Sequence, residues 1–224
     1  MIEKVSKESK QKITEDWSSQ FPELSFYKPL RLYNRIGPVL TGIQLEILRG
    51  NIQYRPQFQI ISLTETQEKN NIESPVVGMD VSGRNNIGEQ IDFRFHEQNY
   101  IGVARKMKEQ ALIPFGGYLE ISQIIEAILR YLDLGRRFIL SDIPIQQIEE
   151  IIRLSILLDR PKETQKYQDK MLKLISSLNQ SRLNFFIGDI ESWKEKMFGL
   201  GKGVLLQWID ENVERYKLQK LNSF

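Results

Sequence analysis

Hydrophobic and polar residues alternate along three consecutive segments in the first third of the chain. The segments cover residues 26–36, 39–47 and 52–60, and short turns at Gly37 and Gly50 separate them. Alternation with a period of two is typical of strands that bury one face, and turns this short join neighbouring antiparallel strands. The pattern therefore predicts an antiparallel meander.

Each predicted strand has one apolar and one polar face. The apolar positions are expected to point into the core, and they are Leu30, Leu32, Ile43, Leu45, Phe58, Ile60 and Phe93. The opposite positions are rich in arginine, tyrosine and glutamine, and they are Tyr27, Arg31, Tyr33, Arg35, Gln44, Gln53, Arg55, Gln57 and Gln59. Because paired strands keep alternate side chains on the same side, we expect the second set to form one polar face.

The alternation weakens between residues 64 and 90 and then returns. An apolar segment at 76–81 predicts a short strand within this stretch, and residues 91–95 predict a further strand of the same sheet. The rest of the stretch is polar and glycine-bearing, which indicates a long connection of the kind that is usually functional or mobile. We therefore expect about four strands between residues 26 and 95.

After His96 the period of the apolar positions changes from two to about 3.6, which is typical of helices that bury one face. The most regular pattern covers residues 121–132, and further helices are predicted at 100–107, 145–156, 161–178, 190–197 and 206–216. A short, mostly polar helix is also expected between residues 3 and 19.

Strands followed by helices are typical of an α+β fold. We predict an N-terminal helix and antiparallel sheet over residues 1–96 and a multi-helix region over residues 97–224, with one continuous domain as the alternative. The helix at 121–132 has the most pronounced apolar stripe, so we expect it to cover the apolar face of the sheet. A doubly wound α/β fold needs helices between successive strands, and residues 37–63 leave no room for them.

Composition excludes several classes of function. The chain of 224 residues has 31 basic and 29 acidic side chains and a formal net charge of +2, so bulk attraction to nucleic acid or to an anionic membrane is not indicated. Because there is no cysteine, disulfide frameworks, cysteine-ligated zinc or iron–sulfur sites and thiol catalysis are excluded. No uncharged stretch approaches the ~18 apolar residues of a membrane span, and the charged N-terminus does not resemble a secretory signal. We expect a cytoplasmic location and no membrane partner.

The single histidine, His96, is one candidate for chemistry. If residues 91–95 continue as a strand, Asp92 and His96 lie on the same face and form a carboxylate–histidine pair suited to acid–base work. The alternative is a solvent-facing histidine at the end of a strand.

A second candidate is a set of carboxylates around the glycine-bearing connection. Asp80, Glu89 and Asp92 are oxygen ligands of the type that Mg²⁺ prefers, and metal-dependent nucleases place such groups on a sheet. The predicted strand has no acidic-x-lysine pair, because the residue two positions after Asp92 is Arg94. A nuclease or phosphodiesterase using these carboxylates, with His96, is therefore the enzymatic alternative.

A glycine-rich segment at residues 199–203 precedes the last predicted helix. Backbone amides at a helix N-terminus bind anions, but a phosphate-binding P-loop requires Ser or Thr after its lysine and a strand before the loop. Here Gly203 follows Lys202 and a helix comes first, which favours a simple helix–helix turn.

The polar face of the sheet is the most informative surface. Arg and Tyr are enriched in protein interfaces, and the same side chains contact phosphates and stack on bases of single-stranded nucleic acid. The third interpretation is that helices or solvent simply cover the face. The near-zero net charge favours a protein partner, so we expect a non-enzymatic protein-binding function without a cofactor, through Tyr27, Arg31, Tyr33, Arg35, Gln53, Arg55 and Gln57. The plan of a small sheet followed by helices is similar to that of many bacterial accessory and immunity proteins.

Overall fold

The computed structural model of the chain describes residues 5–48, 50, 52–65, 75–83, 87–134 and 143–221. It has an N-terminal antiparallel sheet followed by a region of several helices, so the α+β prediction is confirmed. Parts of the predicted 64–90 connection and of the turn around Gly50 lie outside the described residues, as do residues 3 and 4 of the first predicted helix.

The first five strands of the sheet form a meander in which each strand pairs antiparallel with the next. The strands within the described residues are β1 Ser25–Lys28, β2 Arg31–Ile36, β3 Val39–Ile47, β4 Gln53–Ser62, β5 Val77–Asp80 and β6 Ile91–Asp92. The order across the sheet is β1-β2-β3-β4-β5. β5 pairs with residues 57–60 of β4, and β6 pairs with residues 53 and 54 at the start of the same strand. The short strand predicted at 76–81 is therefore confirmed.

Helices precede and follow the sheet. Within the described residues they are α1 Lys7–Gln20, α2 His96–Gln110, α3 Ile121–Asp133, α4 Ile145–Leu157, α5 Pro161–Ser176, α6 Gln180–Phe186, α7 Ile190–Phe198 and α8 Lys202–Arg215. Short 3-10 turns cover Phe93–Phe95 and Leu218–Lys220. Among these described helices, none has both the length and the apolar character needed to cross a membrane.

Residues 26–36 form two strands and not the single strand that the alternation predicts. The chain reverses at Pro29 and Leu30, where Leu30 has a φ of +67°. The Leu30 amide donates to Thr14 Oγ1 of α1 at 2.7 Å, and the Leu45 amide of β3 donates to the Leu30 carbonyl at 2.9 Å. These bonds hold an unfavourable backbone conformation that residue periodicity does not reveal.

The strand predicted at 91–95 ends after two residues. Asp92 stops it, because its side chain accepts a hydrogen bond from the Arg94 amide at 2.8 Å and caps the turn Phe93–Phe95. His96 is then the first residue of α2. The expectation that Asp92 and His96 share the face of one strand is therefore wrong.

Aromatic side chains of α1 and of the segment after α2 pack against the apolar face of the sheet. The Trp17 ring of α1 lies edge-on to Tyr54 of β4, with 6.5 Å between centroids. Phe115 lies edge-on to both Phe21 and Phe58, at 4.8 Å and 5.9 Å. α3 contacts the sheet at β5, where the Tyr131 hydroxyl donates to the Gly78 carbonyl at 3.2 Å. That α3 covers the apolar face stays a prediction.

The helical region also contacts the sheet on its other side. Asn212 of α8 donates to the carbonyls of Leu63 at 3.0 Å and Glu65 at 2.7 Å, just beyond β4. The Tyr27 hydroxyl of β1 donates to the carbonyl of Tyr216 at 3.3 Å. Buried apolar residues form one cluster from Ile13 to Leu221. The division of the chain near residue 96 stays a prediction.

Candidate functional site

The polar face of the sheet depends on a glycine in the middle of β3. Gly42 is paired with Tyr33 of β2 on one side and with Gln59 of β4 on the other. A Cβ atom at Gly42 would lie 2.0 Å from the Leu32 carbonyl oxygen and 2.8 Å from a carbon of the Tyr33 ring. The absence of a side chain therefore lets the Tyr33 ring lie across β3 and reach β4.

Polar side chains on this face form a continuous hydrogen-bonded series across the strands, which we call the polar ladder. The Tyr33 hydroxyl donates to Gln59 Oε1 at 2.7 Å, and Gln59 Nε2 donates to Gln57 Oε1 at 3.3 Å. Gln57 Nε2 donates to Asp80 Oδ1 of β5 at 2.8 Å. The series continues through Arg55 to a second carboxylate, so the ladder consists of Tyr33, Gln59, Gln57, Asp80, Arg55 and Glu46.

Arg55 is held between two carboxylates at the exposed end of the ladder. Its Nη1 lies 2.9 Å from Asp80 Oδ2, and its Nη2 lies 2.5 Å from Glu46 Oε2. Burial by itself would lower the pKa of Arg55, but the hydrogen bond that Arg55 donates to Glu46 and the charge of Asp80 outweigh it and raise that pKa. The guanidinium is therefore a fixed cation whose side chain remains 29% exposed.

The ladder is buried at one end and accessible at the other. Tyr33, Gln59 and Gln57 are buried, as is Tyr27, which lies beneath the C-terminal segment around Tyr216. These side chains are therefore not available to a partner, and the accessible face is narrower than the sequence predicts. The other polar residues on this side of the sheet are half-buried, and we call them the open face. They are Arg31, Arg35, Gln44, Glu46, Gln53, Arg55, Asp80 and Asp92.

The open face has mixed charge. Three arginines and three carboxylates occupy it, so it has no net charge. Arg35 Nε is buried and has no hydrogen-bond partner among the described residues. Glu46 was not among the residues expected to bind, although it lies on the polar side of β3 with Gln44, and that position is the sequence signal that identifies it.

His96 belongs to a buried hydrogen-bonded network and not to the open face. Asp16 Oδ2 of α1 lies 3.0 Å from His96 Nε2, and the Tyr54 hydroxyl lies 2.7 Å from His96 Nδ1. Trp17 Nε1 donates to the Tyr54 hydroxyl oxygen at 3.0 Å. These contacts fit a neutral imidazole with its proton on Nε2, donating to Asp16 and accepting from Tyr54. The network ties α1, α2 and β4 together.

A cleft of about 740 Å³ adjoins this network between α1 and residues 92–98. Lys12 and Glu97 form an ion pair of 2.5 Å at its margin. His96 is one of the lining residues, but both of its ring nitrogens already have partners. The imidazole therefore has no free nitrogen to serve as a general base for a molecule in the cleft.

The network predicts a dependence of stability on pH. Burial is the main cause that lowers the pKa of His96, outweighing the hydrogen bond and charge of Asp16, so the unfolded chain, with a histidine pKa near 6.5, takes up the proton first. The contribution of neutral His96 is complete above about pH 6.5 and is lost as the pH falls toward the lower folded pKa. Urea unfolding of the wild type and of His96→Gln between pH 5 and 8 measures this contribution. The difference in the free energy of unfolding between the two proteins should shrink as the pH falls, and a difference that does not change with pH would contradict the prediction.

The carboxylates of the enzymatic alternative each have a separate basic partner. Asp80 pairs with Arg55, Glu89 with Lys106 at 2.5 Å, and Asp92 with Arg94 at 2.7 Å. The hydrogen bond from Arg94 lowers the pKa of Asp92 to about 2. Across the described ranges, no group of three His, Cys, Asp or Glu side chains is arranged to hold a metal ion. The structure therefore does not bring Asp80, Glu89 and Asp92 together as one site.

The glycine-rich segment joins two helices, as expected for a turn. α7 ends at Phe198 and α8 begins at Lys202. The Lys202 ammonium forms an ion pair with Asp159, at the end of α4, and is therefore already engaged.

Comparisons with known protein families, curated proteins and solved structures found no match to this chain. The open face and the polar ladder therefore carry the functional argument.

Proposed function

We propose that the chain is a non-enzymatic accessory protein that binds another protein through the open face. One observation carries the proposal: Arg55 is held between Glu46 and Asp80 on the sheet while 29% of its side chain stays exposed. A side chain that is already ordered loses little conformational entropy on binding, and arginine is enriched among the residues that dominate interface energies.

The mixed charge of the open face supports a protein partner over nucleic acid. Glu46, Asp80 and Asp92 lie on the same side of the sheet as the arginines, and carboxylates repel phosphate groups. A protein surface offers both signs of charge and satisfies such a pattern. An immunity-type role in the bacterial cytoplasm is the specific form of this proposal.

The test is affinity capture from the native host with the wild-type chain and two variants. Arg31→Ala/Arg55→Ala removes two arginines from the open face. As the matched control, Arg105→Ala/Arg160→Ala removes two exposed arginines from the helical region, one within α2 and one at the N-terminal cap of α5. We expect the control to retain its partners and the open-face variant to lose them, with affinity reduced by about 10-fold or more. Circular dichroism melts verify that both variants are folded.

Two outcomes of the same experiment contradict the proposal. If all three baits capture the same proteins equally, the open face is not the interface. If nuclease treatment removes the same partners that Arg31→Ala/Arg55→Ala loses, and their binding falls steeply between ~50 and 200 mM salt, the partner of the open face is nucleic acid. Cleavage of DNA or RNA in the presence of Mg²⁺, abolished by Asp92→Asn, would establish the enzymatic alternative.

A further inference from the structure

The helix α5 carries four lysines on its outer face. The positions recur at intervals of four, four and three residues, so they lie along one side of the helix. Tyr167, Met171 and Ile175 on the opposite side are buried, whereas the four lysines are exposed. We call this set the lysine stripe, and it consists of Lys162, Lys166, Lys170 and Lys173.

The carboxylates of α5 offset the charge of the lysine stripe only in part. In the part of the chain that the structure describes, no carboxylate forms an ion pair with any of the four ammonium groups. Of the two acidic residues of the same helix, Glu163 pairs with Arg160 at 3.2 Å, whereas Asp169 accepts a hydrogen bond from the uncharged Gln165 amide at 2.8 Å, which does not offset its carboxylate. Residues 160–173 contain five basic and two acidic side chains, so this edge has a local excess of three positive charges in a chain whose net charge is +2.

We propose that the lysine stripe binds the phosphate backbone of a nucleic acid. A helix rises about 1.5 Å per residue, so the four lysines follow one another at about 6, 6 and 4.5 Å along the helix axis, a spacing that suits a linear polyanion. The Lys166 ammonium lies 5.3 Å from the centre of the Tyr167 ring. Lysine side chains in this arrangement contact phosphates and not base edges, so binding does not depend on the sequence of the nucleic acid. A membrane is a poorer fit, because the apolar side of α5 is buried in the core and is not free to insert into lipid.

Neutralisation of four phosphates has a defined salt signature. Each contact releases condensed counterions, so the slope of log K against log salt is about −3.6 for a duplex and about −2.8 for a single strand. For the duplex, raising salt from ~50 to ~200 mM should weaken binding roughly 150-fold. This surface lies on the helical region and is separate from the open face, so its test does not depend on the proposed protein partner.

Fluorescence anisotropy with a labelled duplex of about 20 base pairs tests the proposal. The stripe variant replaces all four lysines with glutamine, which preserves helix propensity. The matched control makes the same charge change at exposed lysines elsewhere, Lys7, Lys196, Lys217 and Lys220. We expect the wild type and the control to bind with similar slopes, and the stripe variant to lose at least 10-fold in affinity at ~50 mM salt, with a slope closer to zero.

Three results would overturn the proposal. Equal binding by the stripe variant and the control would show that only overall charge matters. Absence of wild-type binding at ~50 mM salt would remove the nucleic-acid contact altogether. Binding to polyglutamate but not to the duplex, lost in the stripe variant, would assign the surface to an acidic protein instead. Circular dichroism melts of both variants exclude unfolding as the cause of lost affinity.

Discussion

Replacing Arg153 with alanine is expected to lower the free energy of unfolding by about 3–5 kcal/mol, because it leaves a buried carboxylate without its cation. Arg153 lies on α4 with its side chain 2% exposed, and its Nε is 3.1 Å from Glu150 Oε2. It also pairs with Glu65, immediately beyond β4. The substitution therefore removes the cation that joins the helical region to the end of the sheet.

The effect is large because the other groups cannot compensate. The Glu150 side chain is fully buried, and its Oε2 accepts hydrogen bonds from Ser62 at 2.7 Å and Thr64 at 2.8 Å. Its Oε1 has no partner among the described residues. Burial raises the pKa of Glu150, whereas the charge of Arg153 lowers it, so loss of the arginine favours the protonated acid.

Urea unfolding monitored by tryptophan fluorescence measures this prediction. The second variant, Glu150→Gln/Arg153→Met, removes both charges and is expected to recover part of the lost stability, since uncharged groups of similar size carry no such desolvation cost. A loss below about 1 kcal/mol for Arg153→Ala would contradict the described arrangement.

Gly42→Ala is expected to lower the free energy of unfolding by about 3 kcal/mol or more, which is the upper end of the range for overpacked cores. The added Cβ would overlap the Leu32 carbonyl oxygen, which is backbone and cannot move without disturbing the pairing of β2 with β3. It would also displace the Tyr33 ring and break its hydrogen bond to Gln59. The substitution therefore separates β2 from the sheet and disrupts the buried end of the polar ladder.

Gly102→Ala is the matched control for this substitution. Gly102 lies inside α2, and nothing lies within 4 Å of the position that its Cβ would take. Alanine is there expected to raise stability by up to about 1 kcal/mol, because it is the better helix former. Thermal unfolding of the two variants should shift in opposite directions, and a Gly42→Ala protein as stable as wild type would contradict the close approach of Tyr33.

The order of strands and helices was predictable because burial imposes a period of two or 3.6 on the sequence. The turn at Pro29 and Leu30 was not, since the alternation continues through it and its strained backbone is held by Thr14, sixteen residues away. The end of β6 was missed for a related reason. Asp92 is compatible with both a strand and a cap, and only the hydrogen bond to the Arg94 amide distinguishes them.

The site was predictable in position but not in accessibility. Alternation places Tyr33 and Arg55 on the same side of the sheet, which the strand register confirms. It gives no information on which part of that side the C-terminal segment covers, and contacts such as that between Tyr27 and Tyr216 join residues distant in sequence. The partners of His96 were missed because Asp16 and Tyr54 come from separate elements.

Site-specific photo-crosslinking tests the proposed interface most directly. A benzoyl-phenylalanine at Gln44, within the open face, reports what contacts this surface in the native host, and the same probe at Glu126, exposed on α3, is the control. The proposal predicts a discrete protein adduct from position 44 that is absent from position 126 and absent when Arg55 is also replaced by alanine. No protein adduct at position 44, or the same adducts from both positions, would contradict it.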